Sequence, residues 1–236
     1  MKKFNYKLTQ VSEKIFALEI PNSWDRAMVF LRAQEFYESA SPKFKGKDFD
    51  IWDYLRWYSV EREISTGTFD YPNDWAAYNI PIKVVVKSLD KFTGEYTPYD
   101  IFMDEILHQI FNTYNVSEND TYLIGVESLD DKNLDHELCH ALWYTDPIFK
   151  KEATKIVLNI PTDIVNEGKS TLTRMGYHET VLTDEFVAYS ATGDMKRIVK
   201  VKELNLYKDQ ESQLKKLLKG YLANLDIAKT KLAQAV

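Results

Sequence analysis

Apolar residues recur at helical spacing over most of this chain. In "DRAMVFLRAQEFYES", Met28, Leu31, Ala33 and Phe36 fall on one face of a helix, and Ile51, Leu55 and Tyr58 repeat the pattern in "FDIWDYLRWYSVERE". Two further helices are expected around 82–93 and 98–114, after a segment with turn chemistry at Pro72-Asn73-Asp74 and a stop at Pro81. Strand patterns are scarce: "KIFALEI", 14–20, and "TYLIGVESL", 121–129, cluster β-branched and aromatic residues, and the second run ends in the polar turn "DDKN". Beyond it, helices are predicted at 134–145, at 147–159 with Pro147 in the first turn, at 162–175, and at 184–191 with Thr183 as cap. From 209 to 233, Leu214, Leu217, Leu218, Tyr221, Leu222, Leu225 and Leu232 form one stripe, as in a docking helix or a partner surface.

This pattern predicts an α+β fold, mostly helical, with a small sheet. No internal repeat, low-complexity tract or Gly/Ser linker interrupts it, which predicts a single domain over 1–236. Within it, 1–115 reads as a mainly helical N-terminal part, 116–195 as a core carrying the chemistry, and 196–236 as a C-terminal amphipathic helix.

Composition narrows the function. With 44% apolar residues the chain can bury a substantial core, and a net charge of −6 argues against a partner held through phosphate neutralisation, so nucleic acid is not expected. Charged residues interrupt every apolar run at the N-terminus, so no secretion signal is expected. The apolar runs elsewhere fall far short of the roughly 20 residues that cross a bilayer, so no membrane partner is expected either. The one cysteine, Cys139, fits a reducing compartment, hence a cytoplasmic protein, and reads as apolar filler.

The chemistry sits in "NLDHELCHALWYTDP". Residues 136–140 read His-Glu-Leu-Cys-His, the H-E-x-x-H pattern. On a helix, residues four apart project from one face, so His136 and His140 can offer two imidazole nitrogens to one zinc ion, and Glu137 stands beside it as a carboxylate able to take a proton from a bound water. With four histidines in the chain, chance would produce the motif on the order of 1 time in 200. Leu134, Leu138, Ala141 and Leu142 supply an apolar face that would bury the helix.

A catalytic zinc takes three protein ligands and keeps one position open, so a third ligand is needed downstream. Trp143 and Asp146 occupy the positions where a metzincin carries glycine and histidine, which excludes that type. His178, Glu179, Asp184 and Glu185 are the candidates in "MGYHETVLTDEFVAYSATG". Glu185 is favoured because it shares a helix face with Ala188 and Tyr189, so its carboxylate would point inward. Asp184, on another azimuth, is placed to hold a ligand histidine from behind. Tyr177, His178 and Tyr189 are the polar candidates for stabilising an oxyanion.

A strand, an H-E-x-x-H helix and a second helix bearing a distant glutamate resemble the gluzincin group of zincin metallopeptidases. The long spacing from His140 to Glu185, with a tyrosine two turns before the glutamate, looks most like the lethal-factor-like peptidases. The resemblance covers about 121–193 and leaves the N-terminal half unmatched. It implies a zincin-like catalytic core in which His136, His140 and Glu185 bind zinc, Glu137 is the general base and Tyr177 stabilises the oxyanion. The strand "TYLIGVES" is placed for the zincin edge strand that pairs with extended peptide, although an inner strand would carry the same pattern. The expected activity is zinc-dependent hydrolysis of peptide bonds in a peptide or protein substrate. The alternative is a zincin-like metal-binding module without peptidase activity, for which a structural site would add His178 as fourth ligand.

Overall fold

The computed structural model describes residues 2–39, 41–62 and 65–225. Leu232, at the end of the predicted C-terminal stripe, lies outside the described residues. The fold is α+β, mostly helical with a small four-stranded mixed sheet. The chain gathers into two compact units, Met1–Asp131 and Lys132–Val236. The strand at 121–129 and the H-E-x-x-H helix, assigned to one core over 116–195, therefore fall in different units. Among the described residues no helix is long and apolar enough to cross a membrane.

The first unit is built around helix α1, Ser23–Glu38, which Asn22 caps by accepting from the Asp25 N–H. Every residue from Arg26 to Phe36 is buried. The predicted apolar stripe is therefore only one side of a helix surrounded on all sides, and its polar residues find partners inside. Arg26 donates to the Ile20 carbonyl at 2.6 Å. Arg32 grips Asp100 through two bonds of 2.6 and 3.0 Å, and donates to the Phe49 carbonyl at 2.7 Å. Asp100 belongs to α5, Pro98–Tyr114, where it also completes a capping box with Thr97.

The sheet of this unit has the order β1-β2-β4-β3. β1, Lys7–Ser12, and β2, Ile15–Glu19, pair antiparallel; β2 pairs parallel with β4, Tyr122–Val126; and β3, Tyr78–Pro81, closes the other side antiparallel. Strand β4 is thus an inner strand, buried at all five positions and hydrogen-bonded on both sides. This corrects its placement as a peptide-pairing edge. Gly125 lets β4 approach α1, since a Cβ there would stand 2.3 Å from the Phe30 ring. The remaining helices of the unit are α2, Ile51–Arg56, which widens into a π-helical turn over Trp57–Glu61; α3, Tyr71–Asp74; and α4, Ile82–Asp90.

The second unit is helical. Helices α6, Leu134–Thr145, and α7, Pro147–Val157, meet at Asp146, which ends the first and caps the second by accepting from the Ile148 and Phe149 N–H groups. Helix α8, Thr162–Arg174, is followed by α9, Leu182–Thr192, by two short 3-10 segments at Met195–Arg197 and Val201–Tyr207, and by α10, Lys208–Leu222. Helix α9 begins earlier than expected, after Val181, so Thr183 lies inside its first turn and does not cap it. On α10 and just past it, Leu214, Leu218 and Leu225 are buried, so much of the predicted stripe packs within the chain.

Candidate metal centre

Helices α6 and α9 bring His136, His140 and Glu185 together. The burial of α6 follows its sequence: Leu134, Leu138, Ala141 and Leu142 are all buried, as the apolar face requires. That fixes the opposite azimuth, on which the two imidazoles stand one turn apart with ring centroids separated by 4.8 Å. Helix α9 faces them with Glu185, buried beside Ala188 and Tyr189. Its position is set from behind by α8, where Gly168 allows the Phe186 ring within 2.6 Å of the place a Cβ would take.

One ligand atom from each of the three residues lies within 4.8 Å of the other two. Glu185 Oε2 is 3.6 Å from His136 Nε2, and Glu185 Oε1 is 3.5 Å from His140 Nε2. Donors bound to one tetrahedral ion at about 2.1 Å stand about 3.4 Å apart, close to both separations. His140 Nε2 and Glu185 Oε2 are buried and have no hydrogen-bond partner among the described residues. Leaving such atoms unpaired costs about 1–3 kcal/mol each, more when charged, which a cation between them would offset.

The other nitrogen of His140 is held. Its Nδ1 lies 2.9 Å from Asp184 Oδ1. Burial pulls the His140 imidazole down, but the charges of Asp184 and Glu185 outweigh it and push its pKa well above the ordinary histidine value, with Glu137 adding to the effect. Asp184 is itself raised by burial, against the pull of His140. Three carboxyl groups, Asp184, Glu185 and Glu137, thus act on the His140 ring and favour positive charge beside them.

Exposure is uneven: the His136 side chain is 20% accessible and that of His140 only 3%. Solvent reaches the site from the His136 side. There Tyr189 packs edge-on against His136 at 5.0 Å, and its hydroxyl is hydrogen-bonded with that of Tyr177. Burial raises the Tyr189 hydroxyl pKa, partly offset by the bond with Tyr177. Tyr177 arrives through Gly176, whose φ of 100° ends α8 in a left-handed turn with the Tyr177 N–H donating to the Leu172 carbonyl.

His178 is not part of the group; its Nδ1 lies 3.0 Å from Thr180 Oγ1 in the loop before α9. Glu179 is exposed in the same loop, and Asp135 is exposed on α6. Glu137 is buried on α6, adjacent in sequence to His136. Cys139 is also buried, and burial pushes its thiol well above the ordinary cysteine value, which keeps it an inert filler. Arg197, whose guanidinium sits 5.5 Å from the Tyr189 ring, has no sequence signal that would have placed it here. No family model, no curated protein and no solved structure matches this chain.

Proposed function

We propose that this protein is a zinc-dependent metallopeptidase of the zincin type, with α6 as the active-site helix and α9 as the glutamate helix. One observation carries the reading: two histidine nitrogens and a glutamate oxygen converge within 4.8 Å, and buried donor atoms on His140 and Glu185 are left without hydrogen bonds. Zinc bound by these residues supplies Lewis acidity and lowers the pKa of a coordinated water toward about 7. Glu137, close enough to His140 to raise its pKa, is the carboxylate that would serve as general base were zinc bound here. Tyr177 and Tyr189 offer hydroxyl donors on the accessible His136 side for the oxyanion of a peptide carbonyl. Asp184 holds His140 in the orientation that turns Nε2 toward Glu185. The single thiol suits a cytoplasmic location, which belongs to the same proposal.

The alternative, a metal-tied module without peptidase activity, calls for four protein ligands. The engagement of the His178 ring with Thr180 favours three ligands and an open position. The test is metal analysis of protein purified without an affinity metal, together with cleavage of a quenched peptide library. Glu137→Gln is expected to keep zinc near one equivalent while losing turnover by about 100-fold or more. Unchanged turnover, or wild-type zinc below about a tenth of an equivalent, overturns the reading.

A further inference from the structure

Away from the metal centre, helices α7 and α10 of the second unit enclose an open groove of about 660 Å³. Ile156, Leu217 and Tyr221 line it as an apolar strip, and Lys155 and Lys216 flank the strip from opposite helices, with Glu152 also on the lining. Tyr221 is fixed by edge-on packing against Phe149, with ring centroids 5.1 Å apart. Two further features distinguish this surface from an ordinary helix seam.

The first is charge. On the groove lining Lys155 and Lys216 outnumber Glu152, a local net +1 in a chain whose net charge is −6. The second is Gly220, inside the last turn of α10 and part of the groove lining. Glycine weakens a helix relative to alanine, and a Cβ at this position would meet nothing within 4 Å among the described residues. Intramolecular packing therefore does not require it, whereas a second backbone laid across α10 would gain from its absence of side chain.

We propose that the α7–α10 groove docks an amphipathic helix of a protein partner, with an apolar ridge that fills the Ile156–Leu217–Tyr221 strip and acidic flanks that meet Lys155 and Lys216. The ridge supplies affinity by burying apolar surface, and the lysines select the sign of the flanks.

Three helix-stapled peptides of about 15 residues with one leucine ridge and flanks of glutamate, glutamine or lysine, titrated onto the full chain by fluorescence anisotropy, test this. The glutamate peptide is expected to bind at least about ten-fold more tightly than the lysine peptide. Gly220→Leu is expected to weaken it by a similar factor, and the Lys155→Glu/Lys216→Glu pair to reverse the order, with circular dichroism showing each variant folded. Equal binding of the three peptides, no binding, or binding that ignores both groove variants overturns the proposal. So does a dimer of the chain that Gly220→Leu dissociates, which assigns the groove to a second copy, or oleate binding that needs Lys155 and Lys216, which assigns it to a lipid.

Discussion

Asp184 Oδ1 stands 2.9 Å from His140 Nδ1 while His140 Nε2 faces Glu185 Oε1 at 3.5 Å, so neighbouring residues of α9 address opposite nitrogens of one imidazole. Asp184→Asn keeps the size of the side chain and removes its charge. Zinc affinity, measured by competition with a chromophoric chelator, is expected to fall about 10–100-fold while the helical circular dichroism stays unchanged. Unaltered affinity would show that the carboxylate does not tune the site.

Metal binding should register as stability of the folded chain. Zinc held at about 100 times its dissociation constant is expected to add about 2.7 kcal/mol to unfolding, and a chelator to remove it. Urea titrations with and without chelator check this, and His140→Ala should lose the difference between the two curves.

The approach of α8 to α9 depends on Gly168. A methyl at this position meets the fully buried Phe186 ring at 2.6 Å, and overpacking of this kind costs about 1–3 kcal/mol. Gly168→Ala is expected to lower the melting temperature and, because Phe186 follows Glu185, to weaken zinc binding as well. A variant as stable as the parent would mean that the ring moves aside freely.

In the first unit, breaking the buried Arg32–Asp100 pair from one side strands the other charge. Arg32→Met or Asp100→Leu alone is expected to cost about 3–5 kcal/mol in urea unfolding, and the double variant less than the sum of the two. Additive losses would argue that the two side chains act separately.

Glu35 gives the first unit a pH dependence of known sign. Burial raises its carboxyl above the ordinary 4.5, against the opposing effects of Tyr71, Ser39 and Tyr54 beside it and the charge of Arg62. The folded chain therefore keeps this proton to higher pH than the unfolded chain. Its stabilising contribution is complete below 4.5 and is lost as pH rises through the folded value. Glu35→Gln is expected to gain stability relative to the parent as pH increases across that window, and parallel stability profiles would contradict the assignment.

These features differ in how far the sequence reveals them. The bounds of α6 and the shared face of His136 and His140 follow from apolar spacing and a five-residue motif, both local. Glu185 was accessible by the same logic, because its helix places it beside Ala188 and Tyr189. Strands β1 and β3 were not: "KLTQVS" is largely polar, and "YNIP" is four residues ending in proline, so each is defined by the neighbour it pairs with. The burial of Arg26, Arg32 and Glu35 on α1 was equally hidden. Arg32, for one, takes its partners from Phe49 and Asp100, far along the chain. The inner position of β4 likewise depends on pairing, since an edge strand would carry the same letters.

The unequal exposure of the two histidines sets an order of events for any ion held between them. His140, nearly sealed and faced by Asp184, would be the anchor, whereas His136, 20% exposed and bordered by the edge of Tyr189, is the ligand that solvent reaches. Capture would then start on His140 and Glu185 and finish when His136 closes, and release would run in reverse. The more exposed histidine would then set how long such an ion stays.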